Sequence, residues 1–337
     1  MTHVVVDGKD GRADARPQSL CIASFNVHMF MDQAWRHNGQ RVCQVLQSLD
    51  ADVVCLQEAT FPSPAQTDSN RSGMFATSQG NPDTKETQLY AIAAACGMHS
   101  FDFVEADSWD NGLALFEGVP KGWVQEWENG SISTIRRWQR LRLDIPGHGL
   151  LDIYNTHLDH MTEENRLEEV HRLLETMEGK SGDQVPYIVV GDFNALRRQD
   201  YSEEEWDTIK EIRSRNSISA PCFEVVDVLS DKLVDCFRVR QESMEEPTSS
   251  VMARDWVLDP GPPLLPAPPP FPRGVGIFLP HATNWAGTRI DYAWVSPNWK
   301  LPLRSRQVVC DHSSDHFPLL LQFALPRDAL SSKDESP

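Results

Sequence analysis

The sequence predicts a fold of the α/β class, in which strands and helices alternate along the chain. From Ser19 to about Ala324, short apolar segments alternate with segments whose apolar residues recur at helical spacing. Several of the apolar segments end in Asn, Asp, Glu or His, and polar groups at strand ends commonly line the ligand cleft of α/β sheets. The same pattern therefore predicts a functional site at the ends of the strands.

The apolar segments predict eight strands. They cover residues 21–27, 51–58, 112–116, 140–145, 150–158, 185–193, 289–295 and 317–323. Within the sixth of these, Tyr187 to Val190 form an uninterrupted apolar run that Gly191 closes, which is typical of a buried strand. All of these runs are far shorter than the roughly 20 residues that a membrane span needs.

Helical spacing of apolar residues predicts helices at 40–49, 87–97 and 162–179, and a polar helix is predicted around 202–215. The clearest is 162–179. Thr162 suits the N-cap, and Glu163 and Glu164 complement the positive end of the helix dipole. The apolar stripe of this helix consists of Leu167, Val170, Leu174 and Met177.

One catalytic domain is predicted to cover residues 19–326, between flexible tails at 1–18 and 327–337. Two segments interrupt the alternation of strands and helices: residues 62–86 are polar, and residues 243–280 contain a dense run of proline. Proline has no N–H to donate within a helix or a central strand. Both segments are therefore predicted to be surface loop insertions that shape the substrate cleft.

The charge of the chain bears on its substrate. The formal net charge is −18 at pH 7 and the pI is near 5.0. A protein that holds a long duplex by its phosphates needs a basic face, and an acidic surface repels polyanions. The charge therefore favours a compact substrate over long duplex DNA.

Cysteine usage and the N-terminal segment predict the compartment. The seven cysteines are an odd number and form no Cys-x-x-Cys pair, which is typical of reduced thiols rather than a disulfide framework. The N-terminal residues lack the long apolar stretch of a secretory signal. We expect an intracellular protein, cytoplasmic or nuclear, that is a monomer without stable membrane association.

Polar residues with a shared chemistry follow the predicted strands. They are Asn26, His28, Gln57, Glu58, Asn155, His157, Asp159, Asp192, Asn194, Asp291, Asp315 and His316. Carboxylates, amide oxygens and imidazoles without cysteine suit a hard divalent cation. Mg²⁺ takes one or two protein carboxylates and keeps waters and substrate phosphate oxygens as further ligands, so Glu58 and Asp315 suit a sparse Mg²⁺ site.

Seven motifs carry a resemblance to a known family. They are SFNVH, LQEA, DNGLALF, NTHLD, VVGDFNA, TRIDYAWVS and SDHFPL, which span residues 24–319 in this order. With them the chain resembles the endonuclease/exonuclease/phosphatase superfamily, which includes deoxyribonuclease I, abasic-site endonucleases, sphingomyelinases and deadenylases. The resemblance implies a deoxyribonuclease I-like, four-layer sandwich of two packed mixed β-sheets flanked by helices. It also implies hydrolysis of phosphoesters that depends on Mg²⁺ or Mn²⁺.

The resemblance also implies roles for individual residues. By position, Glu58 matches the principal metal ligand, and Asn26 and Asp315 match residues beside the metal. Asp192 matches the carboxylate that positions or deprotonates the attacking water. The groups that hold the scissile phosphate match His157, Asn194 and His316, with Asn155 as a further candidate, and Asp291 matches the carboxylate that orients His316. Whether Asp192 or His316 is the base stays open at this point.

Several alternatives remain open within the implied hydrolase function. The substrate is a phosphodiester or a phosphomonoester, and nuclease, lipid phosphodiesterase and small-molecule phosphatase activities are all compatible with the motifs. The segment TRIDYAW differs from the WCDR-type signature of inositol polyphosphate 5-phosphatases, which disfavours that subclass. A catalytically silent relative that binds a phosphorylated partner is the alternative from another class.

Three groups of arginines are candidates for contact with substrate phosphates: Arg136 and Arg137, Arg140 and Arg142, and Arg197 and Arg198. The simpler interpretation is that they pair with the many carboxylates of this acidic chain. The sequence favours the simpler interpretation.

Overall fold

Two mixed β-sheets packed face to face form the centre of the protein. The computed structural model describes residues 2–6, 18–32, 36–60, 88–106, 111–182, 184–215, 220–238, 283–284, 288–309, 311 and 313–325. Within these residues the two sheets contain seven and six strands.

The seven-stranded sheet places the N-terminal and C-terminal strands side by side. In spatial order its strands are β1 (Thr2–Val5), β4 (Ser100–Glu105), β5 (Asn111–Glu117), β3 (Val53–Thr60), β2 (Ser19–Asn26), β13 (Leu319–Ala324) and β12 (Leu303–Val308). Strands β2 and β3 are parallel, and the other neighbours are antiparallel.

The six-stranded sheet is built from the middle of the chain. Its strands are, in spatial order, β10 (Val234–Asp235), β11 (Asp291–Val295), β9 (Tyr187–Asp192), β8 (Gly149–His157), β7 (Arg137–Ile145) and β6 (Val124–Ser131). Strands β8 and β9 are parallel, because α3 (Glu163–Ser181) crosses over between them.

Helices cover the outer face of each sheet. α1 (Gly39–Leu49) and α2 (Gln88–Cys96) pack on the seven-stranded sheet, and α3 and α5 (Glu224–Lys232) pack on the six-stranded sheet. α4 (Glu203–Arg215) packs through Trp206 and Ile209 onto a smaller apolar cluster. The Thr162 side chain accepts a hydrogen bond from the backbone N–H of Asn165, as predicted for the N-cap of α3.

Alternation along the strands divides the core into three layers. Ile22, Val53 and Cys55 point between the sheets, whereas Ala23 and Val54 point toward α1 and α2. Because successive strand residues face opposite sides, an uninterrupted apolar strand needs partners on both faces. The helix–sheet–sheet–helix arrangement supplies them, and it confirms the predicted four-layer sandwich.

The structure corrects part of the predicted N-terminal tail. Residues 2–5 form β1, which pairs antiparallel with residues 100–103 of β4. The remaining tail residues from 7 to 17, the insertions at 62–86 and 243–280, and the tail at 327–337 lie outside the described residues.

Two further features concern the whole described part of the chain. No described helix combines the length and the apolar character that crossing a membrane would require. The described cysteines form no disulfide with one another.

Candidate active site

The ends of six strands meet at one rim of the sandwich. His157 ends β8, Asp192 ends β9 and Asp291 begins β11, and these three residues are lateral neighbours in the six-stranded sheet. From the other sheet, Asn26 ends β2 and Glu58 lies near the end of β3. Asp315 and His316 precede β13, the antiparallel neighbour of β2. The rim therefore brings together polar residues that are far apart in the sequence.

Asp192 is the centre of this group. Its Oδ2 accepts a hydrogen bond from Asn26 Nδ2 at 3.0 Å and lies 3.5 Å from His157 Nε2 and 3.7 Å from His316 Nε2. Its Oδ1 accepts a hydrogen bond from the backbone N–H of Asn194 at 2.9 Å. Burial raises the pKa of Asp192 to about 7, against the lowering effect of His316.

His316 is paired with Asp291. Its Nδ1 lies 2.9 Å from Asp291 Oδ2, and both residues are buried. Burial alone would lower the pKa of His316, but the carboxylates of Asp291 and Asp192 outweigh burial and raise this pKa well above its ordinary value. His316 is therefore held as an imidazolium, a positive charge beside Asp192.

His157 faces a cationic side chain, whereas His316 faces a carboxylate. Its Nδ1 lies 3.1 Å from Nη1 of Arg136, a buried arginine in the loop between β6 and β7. Burial and then the charge of Arg136 lower the pKa of His157 well below its ordinary value. The site thus contains one cationic and one neutral histidine, and their protonation states are set by the groups behind them.

The backbone at Asn194 and Glu58 aims their side chains. Both have positive φ, 50° and 51°, which is uncommon for residues other than glycine and clusters at functional sites. The Asn194 amide Nδ2 lies 3.1 Å from His157 Nε2 and donates to the carbonyl of Leu158 at 3.2 Å. Glu58 follows an irregularity in the pairing of β3 with β5, between Leu56 and Ala59.

Glu58 and Asp315 are the exposed carboxylates of the site. Their side chains are 23% and 41% exposed, whereas Asp192 is buried. Glu58 Oε1 accepts a hydrogen bond from Asn26 Nδ2 at 3.1 Å, and Asp315 lies 3.8 Å from His28 Nδ1. Two partly exposed carboxylates fit a cation such as Mg²⁺ or Mn²⁺ that also binds water and phosphate oxygens.

Asn26 connects these carboxylates to the rest of the site. Its amide oxygen accepts the backbone N–H of His28 at 3.0 Å, so its NH₂ group faces both Glu58 and Asp192. The backbone carbonyl of Asn26 accepts a hydrogen bond from Ser314 Oγ at 2.7 Å, which ties the segment before β13 to the end of β2. In this orientation Asn26 positions the two carboxylates.

A second arrangement of possible ligands involves Asp192, Asp291 and His316. Each offers one ligand atom, and these atoms lie within 4.8 Å of one another. The Asp291–His316 hydrogen bond already occupies one oxygen and one ring nitrogen of this set. The three residues are therefore arranged as a hydrogen-bonded acid–base group beside the Glu58 and Asp315 carboxylates.

A left-handed turn adjoins the side of the site that carries Glu58 and Asp315. His28, Met29 and Phe30 all have positive φ, between 45° and 58°. Left-handed backbone costs about 1–2 kcal/mol for each L-residue, so three in succession require compensation from their surroundings. The buried Phe30 side chain in the core beneath α1 provides part of this compensation.

The structure corrects the placement of Asn155. This residue shares a face of β8 with His157 but lies two positions deeper, fully buried between the sheets. Its amide donates to the Leu56 carbonyl at 3.0 Å and to Gln139 Oε1 at 3.1 Å, and its oxygen accepts from Gln57 Nε2 at 2.8 Å. These partners occupy its amide, so Asn155 links the two sheets. It does not reach the position of a phosphate-binding residue, which the sequence had predicted for it.

We expect Asn155→Ala to lower the free energy of unfolding by about 2–4 kcal/mol, because it leaves several buried polar groups without partners. The KM for a phosphoester substrate should not change below the unfolding transition. Urea unfolding and steady-state kinetics measure the two quantities. The exposed Asn165→Ala on α3 is the control, and a raised KM in a stably folded Asn155→Ala would return Asn155 to the phosphate-binding group.

Most of the arginines singled out from the sequence form ion pairs. Arg140 contacts Glu126, Glu128 and Asp152, Arg142 contacts Asp152, Arg197 contacts Asp235, and Arg198 contacts Glu203. Pairing with carboxylates, the interpretation that the sequence favoured, thus applies to these four arginines. Arg136 differs, because its guanidinium contacts imidazole rings instead.

Comparisons with known proteins bear on the family and the fold. A sequence model of the Endonuclease/Exonuclease/phosphatase family matches residues 23–316. The comparison with curated protein sequences gives no match.

Similar solved structures include an endonuclease/exonuclease/phosphatase from Beutenbergia cavernae, with 17% identity, a TM-score of 0.56, and coverage of 92% of this chain and 72% of that chain. The human Nocturnin catalytic domain with bound sulfate has 16% identity, a TM-score of 0.54, and coverage of 96% and 97%. A mannosyl-6-phosphatase from Bacteroides thetaiotaomicron has 17% identity, a TM-score of 0.51, and coverage of 91% and 100%. At these identities the likeness confirms the deoxyribonuclease I-like fold. Since the family model covers most of the sequence, the chain belongs to the Endonuclease/Exonuclease/phosphatase family.

Proposed function

We propose that this protein is a hydrolase of phosphoric esters that depends on Mg²⁺ or Mn²⁺ and resembles nucleases and phosphodiesterases. The observation that carries this proposal is the contact of Asp192 with Asn26, His157 and His316, which brings both sheets to one polar centre. A buried carboxylate between one neutral and one cationic histidine suits attack by water on a phosphorus atom.

In the proposed mechanism, Asp192 orients the attacking water and accepts its proton. Its pKa of about 7 matches the requirement that a general base titrate near the working pH. His316 is a poor base in this arrangement, because Asp291 and Asp192 stabilise its protonated form. Its positive charge instead stabilises the negative charge that develops on the phosphate.

The other side chains orient the phosphate. His157 and Asn194 hold its oxygens from the six-stranded sheet, which restricts the phosphate to a geometry suited to in-line attack. Glu58 and Asp315 would hold the divalent cation, with Asn26 positioning Glu58 and His28 lying beside Asp315. When bound, the cation would polarise a phosphate oxygen and neutralise charge at the leaving group.

The charge of the chain bears on the substrate class. The net charge of −18 favours a nucleotide, a short nucleic acid or another compact phosphoester over long duplex DNA. A silent phosphate-binding relative is disfavoured, because Asn26, Asp192, Asp291 and His316 keep their mutual hydrogen bonds. Lipid phosphodiesters and sugar phosphates remain outcomes of the substrate test below.

We expect chelation by EDTA to lower turnover by at least about 100-fold, and added Mg²⁺ or Mn²⁺ to restore it. The assay compares abasic DNA, single-stranded RNA, a nucleotide phosphodiester, sphingomyelin and phosphorylated sugars. Glu58→Gln should raise the metal concentration needed for half-maximal activity, whereas the exposed Glu164→Gln on α3 should not. Full activity in EDTA would remove the metal from the mechanism.

A further inference from the structure

Arg136 is a buried arginine whose guanidinium contacts histidine rings. It is 4% exposed, and its Nη1 and Nη2 lie 3.1 Å from the Nδ1 atoms of His157 and His160. Other buried arginines of the described chain contact carboxylates directly, as Arg166 contacts Glu163 and Arg289 contacts Asp235. Burying a charge without a carboxylate partner is costly, so the placement of Arg136 beside these rings calls for a functional explanation.

The loop that carries Arg136 is held by α3. Ser133 accepts a hydrogen bond from the backbone N–H of Arg136 and donates one to Glu169 Oε1 at 2.7 Å. The other oxygen of Glu169 accepts the backbone N–H of Asp159 at 2.7 Å, in the loop that follows His157. One carboxylate of α3 therefore fixes both loops and with them the distance from Arg136 to His157.

Proton counting assigns the hydrogen on the His157 ring. A guanidinium has only donors and keeps its charge in proteins, so the nitrogen that faces it must accept. Nδ1 of His157 consequently carries no hydrogen, and in the neutral ring the hydrogen is on Nε2. Nε2 faces Asp192 Oδ2 at 3.5 Å and Glu58 Oε1 at 4.0 Å, so the N–H points into the site.

Asn194 lies beside the His157 ring, so the position of the ring hydrogen affects the contact between the two side chains. Its Nδ2 lies 3.1 Å from His157 Nε2, and that amide already donates to the Leu158 carbonyl, which fixes its orientation. Without Arg136, the ring would favour the tautomer whose bare Nε2 accepts the second hydrogen of this amide. With Arg136 in place, the N–H groups of His157 Nε2 and Asn194 Nδ2 point toward the same region. The carboxylate oxygens nearest to Nε2, Asp192 Oδ2 at 3.5 Å and Glu58 Oε1 at 4.0 Å, lie beyond the usual hydrogen-bond distance, and a phosphate oxygen would satisfy both donors.

We propose that Arg136 is a positioning residue that holds His157 in the tautomer with hydrogen on Nε2, so that His157 and Asn194 jointly donate to one oxygen of the scissile phosphate. This inference rests on the proposed function for its substrate and deepens it. His157 then serves as a hydrogen-bond donor, and the proton of the attacking water goes to Asp192.

The first test needs no substrate. Proton–nitrogen correlation spectra of the metal-free full-length protein identify which ring nitrogen of His157 carries hydrogen, with His157→Gln assigning the signals. We expect hydrogen on Nε2 in the wild type and in Arg136→Lys, because lysine also only donates. Arg136→Met should shift His157 toward hydrogen on Nδ1. Hydrogen on Nδ1 in the wild type would overturn the assignment.

The second test is kinetic. Arg136→Met should lower kcat by about 10- to 100-fold, as loss of supporting groups around a site commonly does, with little change in KM. Arg136→Lys should recover most of kcat, which a purely structural role would not require. An Arg136→Met enzyme with wild-type kcat and tautomer would overturn the proposal.

Arg137→Met is the matched control. Arg137 is the next residue, and its guanidinium donates to the backbone carbonyls of Ser133, Thr134 and Arg136, whereas no contact with a described histidine is seen. The tautomer of His157 and kcat should both be unchanged in this variant. Absence of turnover by the wild type on every substrate would overturn the proposed function, while the tautomer measurement would still decide the assignment of Arg136.

Discussion

Replacing Asp192 with asparagine is expected to lower kcat by at least about 100-fold while leaving the fold intact. The substitution removes the proposed base. The Asp192 carboxylate accepts hydrogen bonds from Asn26 at 3.0 Å and from the Asn194 backbone at 2.9 Å, and asparagine would present an NH₂ group or a carbonyl in its place. Single-turnover kinetics with saturating substrate and metal would measure the chemical step directly.

The thermal stability of Asp192→Asn distinguishes loss of the proposed base from unfolding of the protein. Burial raises the pKa of Asp192, so the folded chain disfavours its ionised form. This cost is full above the folded pKa of about 7, declines as the pH falls from there, and is lost below the ordinary pKa of 3.8. A neutral asparagine avoids the cost. The thermal midpoint of metal-free Asp192→Asn above neutral pH should therefore be at least that of the wild type.

Asp144→Asn is the control for charge removal, because Asp144 is exposed on β7 away from the site. It should leave kcat unchanged. Near-normal turnover by Asp192→Asn would contradict the role of Asp192 and direct attention to His316 as the base. A strongly lowered thermal midpoint would instead show that Asp192 acts mainly in folding.

The periodicity of apolar residues predicted strands and helices whose sequence pattern reflects burial in the core. Strand β9 and helix α3 were located because each has a strong apolar pattern that its neighbours in the core require. Strands β6 and β12 were missed because both lie at sheet edges and are only partly buried, so neither shows a regular alternation. Helix α5 did carry a readable signal, with Val225, Val226 and Leu229 at helical spacing.

Depth along a strand explains the error at Asn155. The alternation of β8 correctly predicts that Asn155 and His157 share a face. It does not predict where the rim of the sandwich crosses that face, because the rim depends on the opposite sheet. Only the position of Gln57 and Leu56 across the interface places Asn155 in the core and His157 at the rim.

Arg136 was not distinguished from the other candidate arginines for a related reason. In the sequence, Arg136 and Arg137 are two adjacent arginines in a polar turn, and no local pattern distinguishes them. Their contacts diverge because one side chain is buried against His157 and the other returns to the carbonyls of its own loop. Long-range packing of the loop onto Glu169 of α3 produces this difference.

Gly191→Ala is expected to lower the free energy of unfolding by more than about 3 kcal/mol. Gly191 has φ of +148°, a conformation that residues with a Cβ rarely adopt, and an added Cβ would lie 1.9 Å from the backbone carbonyl oxygen of Thr156. Thr156 is the partner of Gly191 in the parallel pairing of β8 with β9. Since a backbone atom cannot turn aside as a side chain can, β9 would have to move away from β8.

This displacement should also affect the site. Asp192 follows Gly191 directly and pairs laterally with His157, so movement of β9 changes the distances from Asp192 to both Asn26 and His157. A misplacement of about 1 Å can cost about 100-fold in rate. We therefore expect Gly191→Ala to lose activity even at temperatures where it stays folded.

Gly179→Ala provides the matched control for this prediction. Gly179 is exposed near the end of α3, and a Cβ there would meet nothing within 4 Å. Alanine in a helix is favoured over glycine by about 0.5–1 kcal/mol, so this variant should have a slightly raised urea midpoint and unchanged kcat. Equal midpoints for Gly191→Ala and Gly179→Ala would mean that β9 does not need glycine to bring Asp192 to the rim. A low midpoint for Gly191→Ala alone would tie the glycine of the GDFN motif to the geometry of the carboxylate that follows it.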